Sequence, residues 1–140
     1  MNSPVQISIR GLQHVGIPVS DIEFSVKFYE RLGFRNIMRR SFFHEKEEGV
    51  CVMMERENIT IELYQFPEKE LPSIKSRKDG HIDHIAFDVP DIDAVFKALK
   101  DSGFRIIEEA PVKLDFWERG CRYFNIYGPD NERLEFNQIL

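Results

Sequence analysis

The chain has 140 residues, 42% of them hydrophobic and 31% charged, with a formal net charge of −5. That length suits one domain burying roughly two-thirds of its unfolded surface, and an acidic chain with no concentrated basic face argues against nucleic acid. No run approaches the ~18 apolar residues of a membrane span, and MNSPVQISIRG lacks a signal-peptide core, so a cytoplasmic protein without a membrane partner is expected.

Taken in chain order, Leu12–Val19 alternates, with Val15, Ile17 and Val19 on one face and His14, Gly16 and Pro18 on the other, which predicts a strand. Ser20-Asp21-Ile22-Glu23 has the form of a capping box and predicts a helix start. Its buried stripe is Ile22, Val26, Tyr29 and Leu32, and Gly33 stops it. Three strands follow near Gly33–Ser41, Val50–Glu55 and Ile59–Gln65, the last two joined by a turn at Glu55–Asn58. Phe66–Gly80 reads as a linker that carries the basic residues Lys75, Arg77 and Lys78. Next comes a strand with Ile85, Phe87 and Val89 on one face and His84, Ala86 and Asp88 on the other. Asp91 caps a second helix, with Ile92, Val95, Phe96 and Leu99 as its stripe and Gly103 as its end. Strands near Gly103–Ala110, Arg122–Tyr127 and Arg133–Gln138 complete the chain, with a turn at Gly128-Pro129-Asp130-Asn131.

The two halves are copies. Residues 12–37 align without a gap on residues 82–107, and nine of the 26 pairs are identical, among them His14/His84, Asp21/Asp91, Gly33/Gly103 and Phe34/Phe104. The alignment runs on through Cys51/Cys121, read as equivalent reduced core thiols, and ends in matching strands, ITIELYQ and ERLEFNQ. The expectation is an α+β protein of two tandem βαβββ modules, about 10–66 and 81–140, joined by a linker at about 67–80 within a single domain 1–140.

Each module therefore offers one histidine in its first strand and one glutamate, Glu62 or Glu135, in its last. A carboxylate in mid-strand between apolar neighbours must meet water, a partner or a metal, because burying it alone is costly. Taken singly, the residues also read as core histidines and solvent-facing glutamates. Four at equivalent places, all on the face opposite the helix, point to a site of two nitrogens and two oxygens. Such a set suits one divalent transition metal, Ni, Co, Zn, Mn or Fe, with positions left for substrate. His44 and His81 fall outside the repeat and read as loop histidines.

The paired modules, the HVGIPVSDIEFSVKFYERLGF opening, HIAFDVPDIDA and the closing GPDNERLEF resemble the vicinal oxygen chelate (glyoxalase/bleomycin resistance/dioxygenase) superfamily, nearest its glyoxalase I and methylmalonyl-CoA epimerase branches. The resemblance implies strands curled into a cup-shaped mixed sheet with helices outside, a homodimer, and metal ligands at His14, Glu62, His84 and Glu135. It also implies a small-molecule substrate chelated through adjacent oxygens, with Glu135 as main base and Glu62 as its proton-transfer partner. Glu62 as a fourth ligand fills a position that oxygen activation leaves open, which favours a lyase or isomerase of glyoxalase I type. The expected substrate is a small α-hydroxycarbonyl or thiohemiacetal-like compound. An epimerase, of methylmalonyl-CoA epimerase type or acting on a sugar-like substrate, is the first alternative; a non-catalytic, resistance-type binding protein is the second. Pro18 and Phe66 stand where glutathione-using relatives carry arginine and asparagine, which argues against glutathione. Phe42, Phe43, Phe116 and Trp117 are candidates to wall the cup mouth, and Arg119 or Arg122 to hold a substrate carboxylate or phosphate.

Overall fold

Two βαβββ modules hold all the strands among the described residues. The structure, a computed structural model, describes residues 3–77, 82–127 and 133–140. The first module comprises β1 (Gly11–Pro18), α1 (Ile22–Arg31), β2 (Arg35–His44), β3 (Glu47–Arg56) and β4 (Ile59–Gln65). A 3-10 turn (Glu68–Glu70) and a short helix α2 (Leu71–Lys75) follow, so the expected linker is partly helical. The second module comprises β5 (His84–Asp88), α3 (Ile92–Asp101), β6 (Val112–Leu114), β7 (Cys121–Tyr127) and β8 (Arg133–Ile139). The chain divides into two compact units, His14–Asp83 and His84–Leu140, the latter with the segment up to Gln13.

In the first unit the strand order is β2-β3-β4-β1, and β1 runs parallel to β4 while the hairpins are antiparallel. Ile22 and Val26 of α1 pack on Val52, Met54 and Leu63, with Tyr29 and Phe34 at the margin. Leu32, expected in that stripe, caps the helix C-terminus and is exposed, because the chain leaves helical geometry there. The helix N-cap is Asp21 rather than Ser20: its carboxylate accepts the Phe24 N–H at 3.0 Å.

The second unit repeats the order as β5-β8-β7-β6, with β5 parallel to β8. Val89, Ile92, Val95 and Leu99 enclose Phe124, Ile126 and Phe136, and Phe124 stacks on Phe136 at 5.2 Å between centroids. The N-terminal segment belongs with this unit. Val5 and Ile7 pack against its core, the Arg10 N–H donates to Asp88 O at 2.8 Å, and the Arg10 guanidinium lies 2.7 Å from the Asp88 carboxylate. Residues 10–13 thus group with the second unit, although Gly11–Gln13 open the strand β1 of the first module.

The strand expected at Gly103–Ala110 is replaced by one bridge, Ile106 to Ile126, and the regular strand β6 begins only at Val112. The cause is a side chain. Glu108 Oε1 accepts the Asn125 N–H at 2.6 Å, occupying the donor that a backbone carbonyl would need to extend the ladder. Pro111 then has no N–H to offer.

Cys51 and Cys121 are both buried, but their registers differ. Cys51 lies opposite Tyr64, two residues beyond Glu62, whereas Cys121 lies opposite Ile139, four beyond Glu135. The β7–β8 hairpin has slipped by two residues, which preserves the face each side chain occupies. The Gly128–Asn131 turn, Lys78 and His81 lie outside the described residues. No helix among the described residues is long and apolar enough to cross a membrane.

Candidate metal centre

Parallel pairing of the first and last strands positions one histidine beside one glutamate in each unit. In the first, Gly16 lies opposite Glu62, and His14 stands two residues back on the same face of β1. Leu63 and Ile61 turn the other way, toward α1. The register partner of Glu62 on β1, Gly16, has no side chain, so the carboxylate and the imidazole approach one another: His14 Nε2 is 3.7 Å from Glu62 Oε2. The residues are 1% and 9% exposed.

The second unit reproduces this geometry. Ala86, fully buried, lies opposite Glu135, and His84 is two residues back on β5. His84 Nε2 is 3.8 Å from Glu135 Oε1, with the residues 6% and 8% exposed. A small residue beside each glutamate, Gly16 or Ala86, is a sequence signal that the repeat carried and that pattern reading passed over.

Separations of 3.7 and 3.8 Å exceed hydrogen-bond range. They lie below the ~4.2 Å limit for a nitrogen and an oxygen that share one ion at about 2.1 Å each. The donor set of each unit, one imidazole and one carboxylate, fits a borderline divalent ion.

Around Glu135 the second unit builds a polar network that sequence reading missed. Asn137 Nδ2 donates to Glu135 Oε2 at 3.1 Å and lies 3.8 Å from Cys121 Sγ. The amide is oriented by Gln13, whose Nε2 donates to Asn137 Oδ1 at 3.0 Å and to Asn137 O at 3.1 Å. With its Oε2 engaged, Glu135 turns Oε1 toward His84. At the place two residues past Glu62 the first unit has Tyr64, packed edge-on against Phe66 and Phe42. Asn125 of β7 lies directly opposite Glu135, and Tyr123 shares its face. Burial, with Glu108 and Glu135 adding, pushes the Tyr123 phenol up to about 12, so it is neutral at physiological pH. The signal was parity: Tyr123, Asn125 and Asn137 are polar side chains at alternate strand positions that share the glutamate's face.

The substrate candidates differ in exposure. Phe43 is 75% exposed near the end of β2, Phe116 is buried, Trp117 sits half-buried at φ 66°, and Arg119 is exposed. Arg122 faces α3, where it makes a two-pronged ion pair with Asp93 at 2.7 and 2.9 Å and holds that carboxyl below its usual range. This guanidinium is on the helix side, away from Glu135, because its parity on β7 is opposite to that of Asn125. His44, read as a loop residue, ends β2 and packs on Phe66. It groups with Glu45 and Glu70, but Lys69 lies 2.8 Å from Glu45 and makes this an exposed ion-pair cluster. A cleft of about 480 Å³ lined by Ser41, Glu48, Val50, Gln65, Phe66 and Leu71 opens on the face opposite Glu62.

The profile of the Glyoxalase/Bleomycin resistance protein/Dioxygenase superfamily matches residues 11–136. The chain is 35% identical over 129 residues to the uncharacterized protein YwbC of Bacillus subtilis (strain 168), covering 91% of this chain and 96% of that protein. Its fold is similar to that of methylmalonyl-CoA epimerase from Mycobacterium tuberculosis, with a TM-score of 0.76 and 21% identity over 99% of this chain and 93% of the other. A Streptomyces coelicolor methylmalonyl-CoA epimerase variant in complex with 2-nitronate-propionyl-CoA is similar at a TM-score of 0.74 and 22% identity, covering 94% and 98%.

Proposed function

Because the chain belongs to the glyoxalase/bleomycin resistance/dioxygenase superfamily, we propose that it is a metal-dependent lyase or isomerase of glyoxalase I type that moves a proton at a carbon next to a carbonyl. The observation that carries this reading is the repetition of one buried His–Glu pair, at 3.7 and 3.8 Å, in both units. The residues that would hold one divalent ion, Ni, Co, Zn, Mn or Fe, are His14, Glu62, His84 and Glu135. When bound, it supplies Lewis acidity that stabilises negative charge on two adjacent substrate oxygens.

The chain's residues do the proton work. Glu135 takes the proton from carbon, and Asn137, donating to Oε2, keeps the carboxylate in one orientation. Glu135, now protonated, returns the proton itself, or Glu62 returns it after the proton has passed to that carboxylate. Return to the neighbouring carbon isomerises a small α-hydroxycarbonyl or thiohemiacetal-like substrate. Tyr123, neutral and on the Glu135 face, adds no competing charge.

Epimerisation is the second reading, favoured by the likeness in fold to methylmalonyl-CoA epimerases over nearly the whole chain. There the proton returns to the opposite face of the same carbon. A homodimer accords with the exposed Phe24, Phe28 and Leu32 along α1, and a cytoplasmic location accords with the two buried thiols of Cys51 and Cys121.

The test is exchange of solvent deuterium into candidate substrates by metal-loaded protein. Small α-hydroxycarbonyls, hemithioacetals and acyl-CoA thioesters form the panel. Exchange with rearrangement supports the first reading and exchange without it the second; Glu135→Gln is expected to slow either by about a hundredfold or more. Absence of exchange across the panel, with metal bound, would refute the catalytic reading.

A further inference from the structure

Asn125 is 5% exposed, and its side-chain oxygen Oδ1 is buried with no hydrogen-bond partner among the described residues. Buried polar atoms are almost always paired, so an orphan acceptor needs a reason. Its orientation is fixed. Glu108 grips the residue from one side, Oε1 on the backbone N–H at 2.6 Å and Oε2 on Nδ2 at 3.0 Å. A carboxylate only accepts, so Nδ2 must face Glu108 and Oδ1 must turn away. On the opposite side of Asn125, across β7 and β8, is Glu135.

We infer that Asn125 is a specificity-determining residue whose Oδ1 accepts a hydrogen bond from a donor on the substrate, an O–H or N–H carried beside the chelating oxygens. This rests on the metal-dependent reading of Glu135. Glu108 and Glu135 are carboxylates that only accept, and Asn137 spends its amide on Glu135 and Gln13. A ligand that brings a donor completes the pairing; a ligand that brings an ether or methyl group leaves the acceptor buried and bare.

The experiment uses matched chelators on protein loaded with Ni or Co, read by titration calorimetry, with metal content measured on every sample. Acetohydroxamate against its N-methyl analogue tests an N–H donor, and glycolate against methoxyacetate tests an O–H donor. Wild type is expected to prefer the donor-bearing member of at least one pair by about tenfold. The pair that shows it identifies the kind of donor. In Asn125→Leu that preference collapses while metal content is unchanged. Glu108→Gln guards against a variant that fails to fold. Its new amide donor faces Asn125, so the Asn125 amide turns over and presents Nδ2 where Oδ1 had been, and the preference is lost or reversed. Equal affinity within both pairs in wild type, or a preference that survives both substitutions, would overturn the inference with the metal reading intact. Wild-type protein that binds no metal would instead refute the metal reading, and with it the premise of this one.

Discussion

Replacing Gln65 or Gln138 with methionine should destabilise the fold without touching the metal ligands. Each glutamine lies three residues beyond a site glutamate, Gln65 as the last residue of β4 and Gln138 as the last but one of β8, and each reaches the first turn of its module's helix. Gln65 Oε1 accepts the Ile22 N–H at 2.8 Å, and Gln138 Oε1 accepts the Ile92 N–H at 3.0 Å. These are first-turn donors with no intrahelical partner. Ile22 and Ile92 are 5% and 0% exposed, so water is poorly placed to substitute. Methionine keeps the length of the side chain and removes the acceptor. An unsatisfied buried N–H costs about 1–3 kcal/mol, whereas the exposed caps Asp21 and Asp91 should cost about 1 kcal/mol on truncation. For 140 residues, 1 kcal/mol is roughly 3 °C in Tm. The two braces share no partner, so the double variant should lose about the sum. Urea denaturation and thermal melts measure this, with metal content as the control. A glutamine substitution that costs less than Asp21→Ala would refute the claim that these donors are sealed from water.

Three further outcomes follow from the site. Tyr123, raised to about 12 against an ordinary 10.0, should appear in an alkaline absorbance titration as one of four tyrosines ionising late. Since the unfolded chain gives up that proton first, stability should fall as pH rises from 10 to about 12, by roughly 2–3 kcal/mol, and Tyr123→Phe should flatten the slope; a single transition near 10 would count against it. Ala86→Val should crowd the Glu135 carboxylate, costing about 1–3 kcal/mol in stability and weakening metal affinity about tenfold or more, while Ala86→Gly should keep the metal; equal affinity in both would contradict the role of a small residue there. Arg122→Gln should leave metal and chelator binding unchanged, because its partner is Asp93 on α3; loss of ligand affinity would return Arg122 to the site.

Where a residue's environment is set by its own module's repeat, the sequence was informative. His14 and His84, Glu62 and Glu135, Asp21 and Asp91 recur at equivalent positions, and strand alternation alone assigned their faces. What pattern reading missed depends on single side chains acting across the chain. Glu108 captures the Asn125 N–H and ends a strand that propensity alone would extend. Gln13 and Arg10 tie the N-terminal segment to Asn137 and Asp88, more than seventy residues on, and no local signal marks such a partner. The two-residue slip of the β7–β8 hairpin separates Cys51 from Cys121 in register, although an ungapped alignment equates them. Parity also gives the direction of Arg122: its neighbours Phe124 and Ile126 face the α3 core, and so does it.

The most direct measurement is metal content per chain in protein purified without a tag or chelator, beside Glu62→Ala and Glu135→Ala, with His14→Ala and His84→Ala alongside. The account predicts about one transition metal per chain in wild type, lost or sharply weakened in all four variants, because one ion draws on both pairs. Two ions per chain, with each variant losing only one, would mean that the pairs act separately. No metal in wild type, even after reloading with Ni, Co, Mn or Zn, would contradict the account outright.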